Sequence, residues 1–304
     1  ETLIKASYST NIKERRDCST ALFDPAGRTL AQAEHIPIHL GSLMGIVDEI
    51  LKRFPVGTIE EGDSFIGNDA YTGGGTHLPD IVIATPIFFA GELVGWASNL
   101  AHHSDFVDRG GAHIFQEGLR IPPVRFQRND VIQRDVLDII LLNCQVPDER
   151  VGDLRAQVAA NRQGVIRFQA LCDKYGLGLV RRATEALLDY AERQTRAGIA
   201  RLPDGVYEFE DLLDSNELKE TLQLHLKLEI RGDELFLDFS GNPPQVAGGL
   251  NMVFTALLAT VYYAVKTVVD PEILPNAGMY RPIHVTAPEG SILNCVSPAG
   301  VNGR

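Results

Sequence analysis

Residues 73–105 read GGGTHLPDIVIATPIFFAGELVGWASNLAHHSD and contain two apolar runs that meet at a turn around Gly91. Runs rich in Val, Ile and aromatic residues on either side of a short glycine-containing turn are typical of a β-hairpin. A turn centred on Gly91 places Asp80 opposite Ala101 and next to His102. The sequence therefore predicts that the two ends of one hairpin bring Asp80 and His102 together.

A third side chain that can bind a metal lies just before the hairpin. His77 and Asp80 are three positions apart, and His102 follows His77 by 102 − 77 = 25 positions. A mixed set of imidazole and carboxylate ligands suits zinc, iron(II), manganese(II) or cobalt(II), and three protein ligands leave a position open for water or substrate. HxxD is also a common chance pattern, and His, Asp and Gly are ordinary strand-end residues. From spacing alone, a metal site and plain strand ends both stay open.

The composition is that of a folded globular protein. The chain has 304 residues, of which 44% are hydrophobic and 22% are charged, and its length favours roughly two domains. Its 40 acidic and 28 basic residues give a net charge of -12, which disfavours a nucleic acid partner. Scattered cysteines without a CxxC pair favour reduced thiols and a cytoplasmic location over a disulfide framework; they are Cys18, Cys144, Cys172 and Cys295.

One uncharged segment, 247–265, is about long enough to span a membrane. It contains glycine, asparagine and two tyrosines and has no basic flank, so we expect a buried core helix and no membrane partner. The chain starts at Glu1 and ends at Arg304 after a loop-like sequence. We therefore expect a fragment of a longer chain.

The hydrophobic patterns predict an α+β fold with three parts. Residues 1–125 form a β-rich metal-site domain that contains the hairpin and one helix, 42–54, beginning at Ser42. Residues 126–204 form a helical layer, because their apolar residues recur at helical spacing. Residues 205–304 return to alternating strands and form a second, antiparallel α+β domain that the chain end truncates.

Several longer strings carry a resemblance to a known family. ERRDCSTALFDPAGRTLAQAEHIPIHLGS, GDSFIGNDAYTGGGTHLPDIVIATPIF, AHHSD, EGLRIPP and VGDLRAQVAA resemble the hydantoinase B and 5-oxoprolinase family. That family also includes the large metal-binding subunits of acetone and acetophenone carboxylases. The likeness runs from about Ile12 to Arg304. It departs from the family pattern at Ala70, where proline is expected, and in the length of the glycine run.

The resemblance implies a set of site residues. The metal ligands fall on His77, Asp80 and His102, with Asp17 of the RRD string as a fourth ligand. Successive side chains of a strand face opposite ways, so only one of His102 and His103 can share the face of Asp80. The resemblance selects His102 as the ligand and leaves His103 as a catalytic residue that orients a ligand or contacts the substrate.

Four further residues are weaker candidates. His35 and His39 lie either near the cavity, as the resemblance suggests, or in a loop with hydrogen bonds to the backbone. Asp69 and Asp105 could orient metal-bound imidazoles, because ligating histidines usually donate their second N–H to a carboxylate or carbonyl.

The resemblance implies a subunit of a larger enzyme. A separate or fused hydantoinase A type partner would bind ATP and phosphorylate the carbonyl oxygen of a small-molecule substrate. This subunit would then complete the hydrolysis of a cyclic amide such as a hydantoin, 5-oxoproline or another lactam, with a divalent metal that lowers the pKa of bound water. The sequence has no GxxxxGK[ST] string, so ATP is expected at the partner of a hetero-oligomer.

Three alternatives remain open at this point. The same ligands could serve an ATP-dependent ketone carboxylase, in which the metal polarises the ketone. A closed site of four ligands would instead indicate a non-catalytic assembly subunit with a structural metal. A serine or cysteine hydrolase is disfavoured, because the sequence has no GxSxG string.

Overall fold

The computed structural model describes residues 1–104, 106, 111–216 and 218–302. Within these residues, the first half of the chain forms one antiparallel sheet with the strand order β2-β1-β5-β4-β3-β6-β7. Its strands are β1 (Cys18–Phe23), β2 (Thr29–Glu34), β3 (Ser64–Gly67), β4 (Asp80–Phe89), β5 (Glu92–His102), β6 (Val124–Arg128) and β7 (Val131–Ile132). The predicted hairpin is confirmed as β4 and β5, and it lies at the centre of the sheet.

The register of this hairpin differs from the prediction by one residue. Near the turn the pairing is as expected, but a β-bulge leaves Val94 without a partner. Beyond the bulge, Asp80 therefore lies opposite His102 and not opposite Ala101. Because side chains alternate between the two faces of a strand, this shift puts His102 on the face of Asp80 and His103 on the opposite face.

Helices cover both faces of the sheet. On the face of Asp80, apolar residues of α4 (Ile46–Arg53) pack against Val82, Ala84, Trp96 and Leu100. On the opposite face, α6 (Pro147–Tyr175) runs along β4 and β5. The helices are α1 (Thr2–Ala6), α2 (Thr10–Lys13), α3 (His39–Ser42), α4 (Ile46–Arg53), α5 (Arg134–Leu142), α6 (Pro147–Tyr175), α7 (Leu177–Ile199), α8 (Phe254–Val269) and α9 (Ala277–Tyr280).

The single helix expected over 42–54 is wrong, because Gly45 divides it into α3 and α4. Gly45 has a φ of +88°, in the left-handed region that ends a helix. The glycine run packs directly against this break, since a Cβ on Gly73 would lie 2.6 Å from the carbonyl carbon of Gly45. The break in the helix and the glycine run are therefore two sides of one backbone contact.

The helical region is confirmed in α5, α6 and α7, and β6 and β7 extend the first sheet to Ile132. The second sheet has the order β11-β10-β9-β8. Its strands are β8 (Gly205–Leu213), β9 (Leu222–Arg231), β10 (Glu234–Asp238) and β11 (Ile283–Thr286). The α+β class is confirmed, but β10 and β11 pair in parallel, because α8 and α9 lie between them in the chain and form a crossover.

Helix α8 packs against both sheets. Its Ala256 shares a buried cluster with Ile81 and Ile83 of the first sheet, and its Leu257 and Val261 share another with Leu235 and Leu237 of the second. The division at residues 125 and 204 remains a prediction. In the described part of the chain, no helix is both long and apolar enough to cross a membrane.

Candidate metal centre

His77, Asp80 and His102 come together at one end of the central hairpin. Each offers one potential ligand atom, and these three atoms lie within 4.8 Å of one another. The rings of His77 and His102 have centroids 4.9 Å apart, and His77 Nε2 lies 3.5 Å from Asp80 Oδ1. Among the residues described, no other group of three His, Cys, Asp or Glu side chains has this arrangement.

Local backbone geometry places the first two of these residues. Asp80 begins β4, and its N–H donates to the carbonyl of His77 at 3.0 Å, which closes a turn between them. Gly75 has a φ of +83°, and a Cβ there would lie 2.5 Å from the Cβ of Asp80. Only glycine fits this close approach, so the glycine run is what allows the loop to fold back over Asp80.

The carboxylate of Asp80 is buried and has one unpartnered oxygen. Its Oδ2 accepts a hydrogen bond from Thr76 Oγ at 2.8 Å, whereas its Oδ1 has no hydrogen-bond partner. Burial opposes the charged form, but the imidazoles of His77, His39 and His102 outweigh it and hold the pKa of Asp80 well below its usual value. A buried, ionised carboxylate with a free oxygen facing imidazoles fits a bound cation, because such oxygens otherwise find a partner.

Each imidazole contacts an asparagine, but in opposite senses. His77 Nδ1 lies 3.1 Å from Asn302 Oδ1, whereas Asn11 Nδ2, a donor, lies 3.3 Å from His102 Nδ1, which therefore accepts. An amide oxygen only accepts, so His77 Nδ1 donates and Nε2 is the nitrogen that faces Asp80. Without a metal, a proton on Nε2 compensates the charge of Asp80, and a bound cation would take the place of that proton.

The fourth predicted ligand, Asp17, lies beside His39 and outside the group of three. Asp17 Oδ1 is 3.5 Å from His39 Nε2, and Ser19 Oγ is 2.9 Å from His39 Nδ1. Burial lowers the pKa of His39, against the opposing effect of Asp80 and Asp17. His39 therefore lies next to the site, whereas His35 is exposed. The role of Asp17 as a ligand remains a prediction.

His103 lies on the other side of the sheet. Its ring is buried, and Nε2 lies 2.9 Å from Gln157 Oε1 of α6. Burial holds the pKa of His103 well below its usual value, and the nearby positive charge of Arg150 acts in the same direction. The structure thus keeps His103 apart from the three grouped side chains, and its catalytic role remains a prediction.

The carboxylates expected to orient the imidazoles have other positions. Both oxygens of Asp69 accept from Arg120 Nη2 at 3.0 Å, and its Oδ2 also accepts from Thr72. Asp69 therefore holds Arg120, and Asn11 and Asn302 take the orienting positions. Asp105 lies outside the described residues.

The chain is similar to known proteins over its whole length. The family model described as hydantoinase B/oxoprolinase matches residues 1–304. Caprolactamase subunit beta of Pseudomonas jessenii is 34% identical, over 98% of this chain and 52% of its own length. The crystal structure of an ATP-dependent caprolactamase from Pseudomonas jessenii matches with a TM-score of 0.91 and 34% identity, over 99% of this chain and 53% of the solved chain.

A second solved structure shares the fold at lower identity. Acetone carboxylase in its nucleotide-free form gives a TM-score of 0.91 with 19% identity, over 99% of this chain and 42% of the solved chain. The chain therefore spans about half the length of these proteins or less. Because the family model matches every residue from 1 to 304, the chain belongs to the hydantoinase B/oxoprolinase family.

Proposed function

We propose that this chain is the metal-binding subunit of an ATP-dependent hydrolase that opens a cyclic amide such as a hydantoin, 5-oxoproline or another lactam. One observation carries the metal: buried Asp80 has an oxygen without a hydrogen bond and is grouped with His77 and His102, with one potential ligand atom of each within 4.8 Å of the others. The reaction class rests on family membership and on a 34% identical relative whose name states ATP-dependent action on caprolactam, a cyclic amide.

The side chains present fit a divalent cation such as zinc, manganese, iron or cobalt. When bound, such an ion supplies a Lewis acid that can activate water for attack on a carbonyl carbon. Thr76 holds one oxygen of Asp80 and leaves the other free, while Asn302 and Asn11 fix the ring planes of His77 and His102. The contacts to Asp80 and His77 hold those two side chains in place before any substrate arrives, so that little side-chain freedom is lost on binding.

A hydantoinase A type partner handles ATP in this proposal. An unstrained amide is a poor electrophile, so phosphorylation of its oxygen in the partner would improve the leaving group before hydrolysis here. The similar caprolactamase chain is named as a beta subunit, which supports a hetero-oligomer. The cytoplasmic location expected from reduced cysteines belongs to the same proposal.

Metal analysis of matched histidine variants tests the site. His77→Ala removes a grouped imidazole, whereas His35→Ala removes an exposed one outside the group. We expect His77→Ala to lose most of its metal and turnover while it still folds, and His35→Ala to keep both. Full metal content in His77→Ala, measured by elemental analysis, would contradict the proposed ligand.

The reaction class is tested with the complex of this chain and its ATP-binding partner. With ATP and 5-oxoproline, hydantoin or caprolactam, we expect ring-opened product and consumption of ATP. With ATP, acetone and bicarbonate, we expect no carboxylated product, because the likeness to acetone carboxylase is at 19% identity and supports the fold alone. Ketone-dependent carboxylate without ring opening would replace the hydrolase proposal with the carboxylase alternative.

A further inference from the structure

Three buried amide side chains lie between α6 and the central hairpin. Gln157 and Asn161 belong to α6, and Asn99 belongs to β5. All three are almost completely buried. Asn99 Nδ2 donates to the carbonyl of Gln157 and to Asn161 Oδ1, both at 2.7 Å, so the group forms a connected ladder. Breaking a connected, buried polar network lowers the free energy of unfolding, because each amide left without a partner has lost its hydrogen bonds to water.

The amide of Gln157 has a unique orientation. Its Nε2 donates to the backbone carbonyl of Ile81 and to Asn99 Oδ1, both at 2.8 Å. These two acceptors use both amide hydrogens, so Oε1 is the atom that faces His103 Nε2 at 2.9 Å. The nitrogen of His103 that carries the proton must therefore be Nε2. Its other nitrogen, Nδ1, is buried and has no hydrogen-bond partner among the described residues.

The groups that Gln157 contacts adjoin two of the candidate metal ligands. Ile81 follows Asp80 on β4, and His103 follows His102 at the end of β5. The N–H of His103 also donates to the carbonyl of Pro79 at 2.9 Å, which joins the same two strand ends. One side chain from α6 thus ties both ends of the hairpin together from the face opposite to the candidate metal centre.

We infer that Gln157 is a positioning residue, which sets the spacing of Asp80 and His102 by binding Ile81 and His103. The inference rests on the metal site of the proposed function. It adds that the affinity of this site for metal depends on a helix that contributes no ligand. Partners beyond the ligands themselves usually change metal affinity by about 10- to 100-fold when they are removed.

Asn161 offers a matched comparison. It lies one helical turn after Gln157 with a similar degree of burial, and its Nδ2 donates to the carbonyl of Ile83 at 2.8 Å and to Thr85 Oγ at 3.2 Å. Apart from Asn99, which both side chains contact, its strand contacts lie farther along β4 than Ile81, and they do not include His103. Loss of either amide weakens the packing of α6, but only the loss of Gln157 frees the strand ends.

The test compares Gln157→Met with Asn161→Leu in the full chain. Mn²⁺ affinity is measured by calorimetry, and stability is measured by urea unfolding followed through the fluorescence of Trp96, the single tryptophan. We expect both variants to unfold at lower urea concentration. Gln157→Met should bind Mn²⁺ about tenfold more weakly or worse, and Asn161→Leu should stay within about threefold of the wild type. Equal affinity in Gln157→Met and the wild type would overturn this inference alone, whereas a wild-type chain that binds no metal would overturn the proposed function as well.

A measurement on the wild type covers the case in which Gln157→Met does not fold. The ¹⁵N shifts of the His103 ring report which nitrogen carries the proton. We expect a neutral ring protonated at Nε2, held there by Gln157 Oε1. A ring protonated at Nδ1 would overturn the inference, because Gln157 could not then accept from it.

Discussion

The chain contains two long antiparallel hairpins with different surroundings. β4 and β5 lie at the centre of the first sheet, with strands on both edges and helices on both faces. β8 pairs with β9 at the edge of the second sheet as the structure describes it, and seven of the nine residues of β8 are exposed. The central hairpin was predicted from its residue pattern, which does not reveal how many neighbours a hairpin has.

The two hairpins differ in how completely their side chains are buried. Phe209 and Leu212 of β8 are 65% and 67% exposed, so their apolar surface contributes little to folding. In the central hairpin, Trp96 and Leu100 are completely buried. A buried carboxylate such as Asp80 needs neighbours that compensate its charge, and the enclosed hairpin supplies them.

The largest expected contrast is in stability. Leu100→Ala should lower the free energy of unfolding by about 2 to 5 kcal/mol, because it leaves a cavity in a core with no room to collapse. Leu212→Ala should change it by less than about 0.5 kcal/mol, because that side chain is exposed. Urea unfolding followed by tryptophan fluorescence measures both. Similar losses in the two variants would mean that β8 is as enclosed in solution as β5.

Replacement of an aspartate by asparagine in each hairpin compares their contributions to metal binding. Asp80→Asn should weaken Mn²⁺ binding by about 100-fold or more. Loss of a residue that only contacts a ligand usually weakens metal binding by about 10- to 100-fold, and loss of a ligand should cost at least as much. Asp211→Asn makes the same change on exposed β8 and should leave the affinity unchanged. Calorimetric titration measures the Mn²⁺ affinity of both variants. Unchanged affinity in Asp80→Asn would show that Asp80 is not a metal ligand.

Strands β5 and β1 approach closely at Gly95, so a larger residue there should destabilise the protein. A Cβ at Gly95 would lie 2.6 Å from the carbonyl oxygen of Phe23. Gly95→Ala should therefore cost about 1 to 3 kcal/mol of stability through overpacking. Gly57 has open space around its Cβ position, so Gly57→Ala serves as the control. Thermal unfolding that ranks Gly57→Ala below Gly95→Ala would contradict the packing described here.

The smallest expected effect is a charge reversal on the exposed hairpin. Glu208 of β8 lies opposite Lys227 of β9. Glu208→Lys places like charges opposite each other and should destabilise the protein by about 0.2 to 1 kcal/mol at low salt. The double variant with Lys227→Glu should recover the loss, since it restores opposite charges. A Glu208→Lys effect that persists in 1 M salt would show that charge is not its cause.

Local pattern accounted for most of the elements and for the core of the site. The apolar runs around Gly91 predicted the hairpin, and the hairpin placed Asp80 near His102. The bulge at Val94 was not predictable, because periodicity does not show where one strand carries an extra residue. The break at Gly45 was missed for a similar reason: it depends on contact with Gly73, which is distant in sequence.

Residues that reach the site from elsewhere in the chain were the hardest to find. Asn11 and Asn302 lie 91 and 225 positions from the histidines they contact, and no local motif marks either of them. Asp17 entered only through the family resemblance. His39 was open between two interpretations, which only the packing of α3 against the sheet could separate. Long-range contacts of this kind are set by tertiary packing.

The register beyond the bulge decides which residue of β5 faces Asp80, so a one-residue deletion and a one-residue insertion in β5 should affect the site differently. A deletion of one residue between the bulge and His102 would turn His103 toward Asp80, so an imidazole would still be present there. An insertion at the same place would instead present Ala101, which has no ligand atom. Because His102 and His103 are adjacent, a shortened β5 would still present an imidazole beside Asp80, whereas a lengthened β5 would not. Either change would also reverse the faces of the apolar residues in between.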